Sequence, residues 1–256
     1  MVGRNTCEHG DGPERHDTEA EHARTRGRQV QKKEAEMMDD KVARSAPVSA
    51  QIRWQGQIES VQCRAWVWRY KLDNRTHHHL GLNIWVKGEV DGREGRFIVA
   101  VSDTQHMKIQ FRIGDVVKGT AWPCIKAKHD IADYYRAGGF KVLSRADTQP
   151  DPLAPPFTGL LPSIETFRTR GARMLDSKLW RKKCFRCMWA NKSAVEIEYK
   201  FGKVKRYRKE TFCYGPKSCP FYDMGPPRHV QYFDEGYSID DGWMDDLCTE
   251  LRGEDD

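Results

Sequence analysis

Ile52, Trp54, Ile58, Val61, Ala65 and Val67 recur among polar neighbours in a near-alternating pattern, which predicts one long or bulged strand with a bend at Gly56. A second strand is expected from Leu80 to Val90, a turn at Asp91-Gly92 and a third strand from Arg96 to Val101, ended by Ser102-Asp103. Phe111 to Gly119 reads as a turn entering a fourth strand, and Gly139 to Leu143 as a fifth. Between them Asp130 to Arg136 is a short helical candidate, and His77-His78-His79 falls in what reads as a hairpin loop. Five short strands with glycine-rich corners over about 95 residues fit a small closed barrel.

A different texture follows. Gln149 to Pro156 carries four prolines and reads as an extended linker, 147–162. Ser163 can cap a helix reaching Trp180, with Ile164, Phe167, Met174, Leu175 and Leu179 on one face. Ala194 to Tyr199 and Val204 to Phe212 form a hairpin across Lys200-Phe-Gly-Lys203. The expected organisation is a charged tail without a core (1–48), a barrel (49–146), the linker, a basic helix and hairpin module (163–232) and an acidic tail (233–256).

Charge sharpens that division. The first 48 residues and the last 23 are respectively balanced and acidic, which leaves 33 Lys and Arg against 17 Asp and Glu in 49–233, a net of about +16. Between Ile164 and Val230 there are 17 basic and 6 acidic residues. A surface of that sign suits a polyanion, and nucleic acid is the first candidate. No apolar run is long enough to span a bilayer and no signal-like stretch opens the chain, so the expected location is the cytoplasm, where thiols stay reduced.

In such a compartment clustered cysteines read as metal ligands. Cys184-Phe-Arg-Cys187 and Cys213-Tyr-Gly-Pro-Lys-Ser-Cys219 are two knuckles of the zinc-ribbon type at either end of the predicted hairpin, the second longer than the usual two-residue spacing, with Gly215 and Pro216 to supply its bend. The expectation is one structural zinc held by Cys184, Cys187, Cys213 and Cys219, with an iron–sulfur cluster as the alternative. Cys63, Cys124 and Cys248 stand alone and read as packing residues. His77 to His79 point in different directions along the chain and read as a solvated loop rather than a metal site.

The candidate nucleic-acid contacts flank these knuckles. Arg181, Lys182, Lys183 and Arg186 crowd the first; Lys203, Lys205, Tyr207, Arg208 and Lys209 line the hairpin. Alternation puts Lys203, Lys205, Tyr207 and Lys209 on one side, and offers Arg206 and Arg208 to Glu196 and Glu198 as cross-strand partners. In the barrel Trp66, Trp68 and Tyr70 share one face beside Arg64, Arg69 and Lys71, where they can stack unpaired bases.

The phrase Arg112-Ile-Gly-Asp-Val-Val-Lys-Gly119 resembles the turn and strand that recur in OB-fold nucleic-acid-binding proteins. That resemblance implies an OB-like barrel for about a third of the chain. Glu210 to Cys219 resembles a motif of uncharacterised microbial proteins and implies no activity. The acidic tail, with Phe233, Tyr237 and Trp243 among its carboxylates, is similar to the partner-recruiting tails of bacterial single-strand-binding proteins, without their hydrophobic terminus. It is expected to compete for the basic module or to dock a protein partner.

The fold class expected is therefore mainly β with a short α element. An OB-like barrel is followed by a helix and a four-cysteine, zinc-ribbon-like module. No phosphate loop, nucleophile elbow or paired carboxylates in an apolar setting argue for catalysis. The expected activity is binding of single-stranded or structured nucleic acid. The alternatives are an iron–sulfur enzyme or accessory subunit, and a protein-interaction adaptor.

Overall fold

The computed structural model describes residues 50–70, 76–125, 128–147, 151–199, 204–226, 228–231 and 236–239, with 245–246, 248–250 and 252. The tail 1–48, Lys203, Phe233, Trp243 and the carboxylates from Asp234 to Asp241 lie outside them, and for Tyr70 and Tyr237 only the backbone is described. The protein is mainly β. Among the described residues no helix is long and apolar enough to cross a membrane.

The predicted long strand exists: β1 (Ile52–Tyr70) runs for 19 residues. It pairs with β2 (Thr76–Val90), which turns at Asp91-Gly92 into β3 (Arg93–Val101). Asp91 and Gly92 both take positive φ, the demand of a tight two-residue hairpin. Helix α1 (Asp103–Ile109) follows, then β4 (Val116–Pro123) and β5 (Tyr134–Ser144). These five strands close on themselves in the order β1-β2-β3-β5-β4-β1, with β3 and β5 parallel. The bend at Gly56 is a close approach: Gly56 pairs with Gly88 of β2, and a Cβ on Gly56 would lie 2.7 Å from the Gly88 Cα. Asp115, in the Ile-Gly-Asp-Val phrase, is fully buried, accepts the N–H groups of Arg112 and Ala146, and pairs with Arg145 at 2.7 Å. It thereby ties the start of β4 to the end of β5.

Beyond the ring come α2 (Ile164–Arg170), the short strand β6 (Arg173–Met174), and α3 (Ser177–Leu179), which passes into a π-helical turn (Trp180–Cys184). The hairpin of β7 (Ala190–Tyr199) and β8 (Val204–Cys213) is the expected one, with β7 beginning at Ala190 rather than Ala194. A small pair, β9 (Arg228–Gln231) and β10 (Gly236–Ile239), comes last.

The proline-rich stretch divides the sequence, but the sheet runs across it. Trp66 to Tyr70 of β1 pair in parallel with Ala194 to Glu198 of β7, so one eight-stranded sheet continues from the ring into the hairpin. One apolar cluster likewise runs from Trp54, Ile58 and Val117 to Phe167, Phe212 and Tyr214. Residues 49–256 form one compact unit. The end of the stretch is no spacer either: Phe157 is buried and its carbonyl accepts the Met188 N–H at 2.8 Å.

Four further expectations are corrected. The helix from Ser163 stops at Arg170, because Gly171 takes φ +66° and packs so tightly on Cys248 that no Cβ fits. Met174 and Leu175, read as its apolar stripe, lie in and beside β6, buried under β8. Asp130 to Arg136 is a loop entering β5, in which Asp130 caps Ile131 and Ala132 with its side chain. His77 to His79 belong to β2: His77 and His79 continue the inward row of Leu82 and Ile84, while His78 points outward and stacks on Trp66. Helix α1 was not anticipated, although Ser102 and Gln105 form a capping box that is legible as Ser-x-x-Gln.

Candidate functional site: a four-cysteine pocket and the outer face of the sheet

The outer face of the sheet is partly covered along the middle of β1 and β2. Ser60, Gln62 and Asn83 point outward there and are fully buried, because the first cysteine turn lies across them. Ser60 Oγ and Gln62 Nε2 both donate to the Phe185 carbonyl, at 2.5 and 2.9 Å. Phe185 packs edge to face on Trp85 and Trp180, which are tilted against each other, with centroids 5.3 to 5.7 Å apart. Ile98 and Ala100 of β3 are covered by Ile131 and Ala132. This part of the ring's outer surface is filled by the chain itself.

The covering turn carries the first pair of thiols. Cys184, Cys187, Cys213 and Cys219 all line one small cavity of about 10 Å³, room for a single water-sized sphere. Phe157, Leu175 and Tyr222 close its apolar wall. Each knuckle is a tight turn: Cys187 N–H donates to the Cys184 carbonyl at 3.0 Å, and Cys219 N–H to that of Pro216 at 3.1 Å. Two sulfurs receive an amide from two residues on, Cys213 from Gly215 at 3.3 Å and Cys187 from Trp189. The Tyr214 amide, donating to the Trp189 carbonyl at 2.8 Å, joins the two turns. Burial and the neighbouring thiols push Cys184 up to about 12, and burial above all does the same to Cys187; burial raises Cys213 as well. As the side chains stand, among the described residues no group of three or more His, Cys, Asp or Glu is gathered tightly enough to hold an ion. The thiols share a cavity of fitting size without being drawn in around its centre. Four thiols of this kind suit a soft or borderline cation.

The second knuckle is clasped from behind. Arg173 Nη2 donates to the Pro216 carbonyl at 2.8 Å while its guanidinium lies 3.7 Å over the Tyr222 ring. Arg252, nearly buried, donates to the Gly215 carbonyl at 2.6 Å and to those of Arg170 and Gly171. Asp245 accepts the Met174 N–H at 2.9 Å and the Tyr222 hydroxyl at 3.0 Å. These two residues, read from sequence as part of a free tail, are packed into the body.

The basic residues sort into three groups. Arg181, Lys182, Lys183 and Arg186 are exposed on the turn around the first knuckle and form no ion pair among the described residues. Arg208 is tied to the buried Glu210 and lies with Arg206 on the opposite side of the hairpin from Lys205, Tyr207 and Lys209. Glu196 and Glu198 share the face of Lys205, which pairs with them at 2.6 and 2.8 Å. The expected pairing of these glutamates with Arg206 and Arg208 was therefore one residue out of phase. Burial and Glu196 hold the Tyr207 hydroxyl high, at about 12, and His129 reaches Glu196 at 3.7 Å. Lys209 and Lys192, on the same face, have no carboxylate partner among the described residues. Lys192 was missed from sequence, because the strand expected to start at Ala194 starts at Ala190 and carries Lys192 on the face of Ala194.

Trp66 and Trp68 are half-buried on this outer face, while Ala65, Val67 and Arg69 fill the inner one. No family model, no curated protein and no solved structure matches the chain.

Proposed function

We propose that this chain is a nucleic-acid-binding protein without catalytic chemistry of its own, in which Cys184, Cys187, Cys213 and Cys219 hold one structural zinc. The observation that carries the reading is that one segment, 177–187, bears both halves of it. Its last turn brings Cys184 and Cys187 to the shared cavity, and its surface presents Arg181, Lys182, Lys183 and Arg186 with no carboxylate partner among the described residues. A cation in the cavity would gather the four thiolates and stiffen that basic surface. It supplies charge neutralisation and cross-linking of the two knuckles, as in a zinc ribbon.

The barrel is read here as OB-like. Supporting this are the strand order β1-β2-β3-β5-β4-β1, the parallel β3–β5 contact and the helix between β3 and β4. The reduced cytoplasm is where four such thiols remain available to a metal.

Two measurements test the reading on the purified full chain. Elemental analysis should give one zinc per chain in a colourless protein; visible absorption with bound iron would replace zinc by a cluster. Anisotropy titration with labelled oligonucleotides should show binding that weakens with salt. Absence of metal, or of any oligonucleotide binding at low salt, would overturn the corresponding half.

A further inference from the structure

Strand register places Lys209, Ala194, Trp66 and His78 in one transverse row across β8, β7, β1 and β2, all on the outer face. The neighbouring row holds Thr211 and Lys192, so Lys192 and Lys209 are diagonal neighbours. Lys192 Nζ also lies 5.4 Å from the Trp180 ring centroid, beside exposed Arg181 at the start of the π-helical turn. Three cations from two elements thus converge on one spot, and none has an ion pair among the described residues. Two strands away, roughly 10 Å by ordinary sheet spacing, His78 stacks on Trp66 with centroids 5.0 Å apart, and Trp68 stands half-buried in the next row.

From this arrangement we infer a single-strand track: Lys192, Lys209 and Arg181 seat a phosphodiester, and the bases beside it lie on Trp66 and Trp68. The inference rests on the nucleic-acid reading above and gives it a place and a ligand class. Half-buried indoles on a sheet surface offer stacking only to bases that are unpaired, and a duplex keeps its faces covered. Ala194, between Lys209 and Trp66, is itself buried, so a strand bridging the lysines and the indoles passes over it rather than through a groove. The site differs from the usual OB surface, which is closed here by Phe185 and Trp180.

Electrostatics agree with an anion site. Lys192 is held below its ordinary range by partial burial and by the like charges of Lys209 and Arg181, a repulsion that a phosphate between them would relieve. On the other side of Trp66, Lys205 is taken up by two carboxylates, Glu196 and Glu198. The track therefore favours the Lys192 end.

The test uses the full chain and a labelled oligothymidylate of roughly 16 nucleotides, against a duplex of the same length. The Lys192→Ala/Lys209→Ala variant removes two exposed or half-exposed side chains. It should lower the slope of log affinity against log salt by roughly 1.4, about 0.7 for each contact. The control, Lys118→Ala/Lys141→Ala, deletes an equal charge from two exposed, register-paired lysines of β4 and β5 and should leave the slope within error. Trp66→Ala should weaken single-strand binding by roughly 5- to 150-fold, and wild-type tryptophan emission should be quenched on binding even if that variant folds poorly. Equal slopes for the two lysine pairs, no change in emission, or duplex binding as tight as single-strand binding would overturn the track while leaving the broader reading standing. Binding of neither oligonucleotide by the wild type would remove both.

Discussion

Glu196 and Lys205 hold each other at 2.6 Å across β7 and β8, with the glutamate side chain only 1 % exposed and the lysine reaching it from solvent. A carboxylate this deep depends on its partner. Lys205→Ala should destabilise the protein by about 1–3 kcal/mol, discounted for the open side of the pair, and Glu196→Gln in the same chain should recover part of the loss. Urea denaturation of the four members of that cycle measures the coupling. Because the Lys205 charge is already matched by Glu196 and Glu198, its removal should leave the salt slope of any nucleic-acid binding unchanged.

Gly56 and Gly88 leave no room for a methyl group on either. Gly56→Ala would set a Cβ 2.7 Å from the Gly88 Cα, and Gly88→Ala would press on the Gln55 carbonyl. Each should cost about 1–3 kcal/mol, read as a shift in denaturation midpoint at constant slope. The double variant should cost more than the sum, since each position could otherwise yield to the other.

Stability should fall in acid through the inward histidines of β2. Burial, with Arg168 and His78 nearby, holds His79 down at about 4, against a smaller opposing pull from Glu165, and its ring packs on Phe167 and Tyr214 near His77. Its folded value lies below its unfolded one, near 6.5. Above that both states are neutral and nothing is lost; as pH drops from about 6.5 to 4 only the unfolded chain takes up the proton, and stability declines. His79→Gln should flatten the dependence in that window. An unchanged profile would shift the effect to His78 or His106, both also lowered by burial.

Cys187→Ser should abolish metal binding and lower the stability of the whole unit, not of a module alone. The continuous β1–β7 sheet predicts that far-ultraviolet and tryptophan signals still unfold together. Two separated transitions would mean that the parallel pair contributes little.

Several elements could be read from the chain because their causes are local. The Asp91-Gly92 hairpin and most of the β7–β8 hairpin follow from alternation and turn residues. The four cysteines announced a common cavity by spacing alone. What escaped was decided at long range. β1 and β7 pair across more than a hundred residues, and no local pattern marks a parallel partner. Gly171 ends a helix whose apolar periodicity continues, because Cys248 occupies the space beside it. His77 and His79 look like loop residues until Phe167, Phe212 and Tyr214 supply a place to bury them. Asp115, read as part of a turn, and Glu196, read as a partner of Arg206 or Arg208, are both sealed inside.

Arg252→Ala should expose the knuckle it braces. Three main-chain carbonyls lose a charged donor, at a cost of about 1.5–3 kcal/mol, and Arg252→Lys should not restore it because one ammonium cannot serve the fork. A thiol reagent should reach Cys213 and Cys219 faster in the variant; equal rates would show the brace to be dispensable.

That brace also sets an order of events during synthesis. Gly215 lies 37 residues before the arginine that holds its carbonyl, and Gly171 lies 81 before it. At about 5–20 residues per second, the second knuckle leaves the ribosome's catalytic centre roughly 2–7 seconds ahead of its clasp. Throughout that interval Cys213 and Cys219 stand in a loop with its rear support missing. The rear packing of Cys213 and Cys219 is therefore completed only after Arg252 has been added and has reached the Gly215 and Gly171 carbonyls.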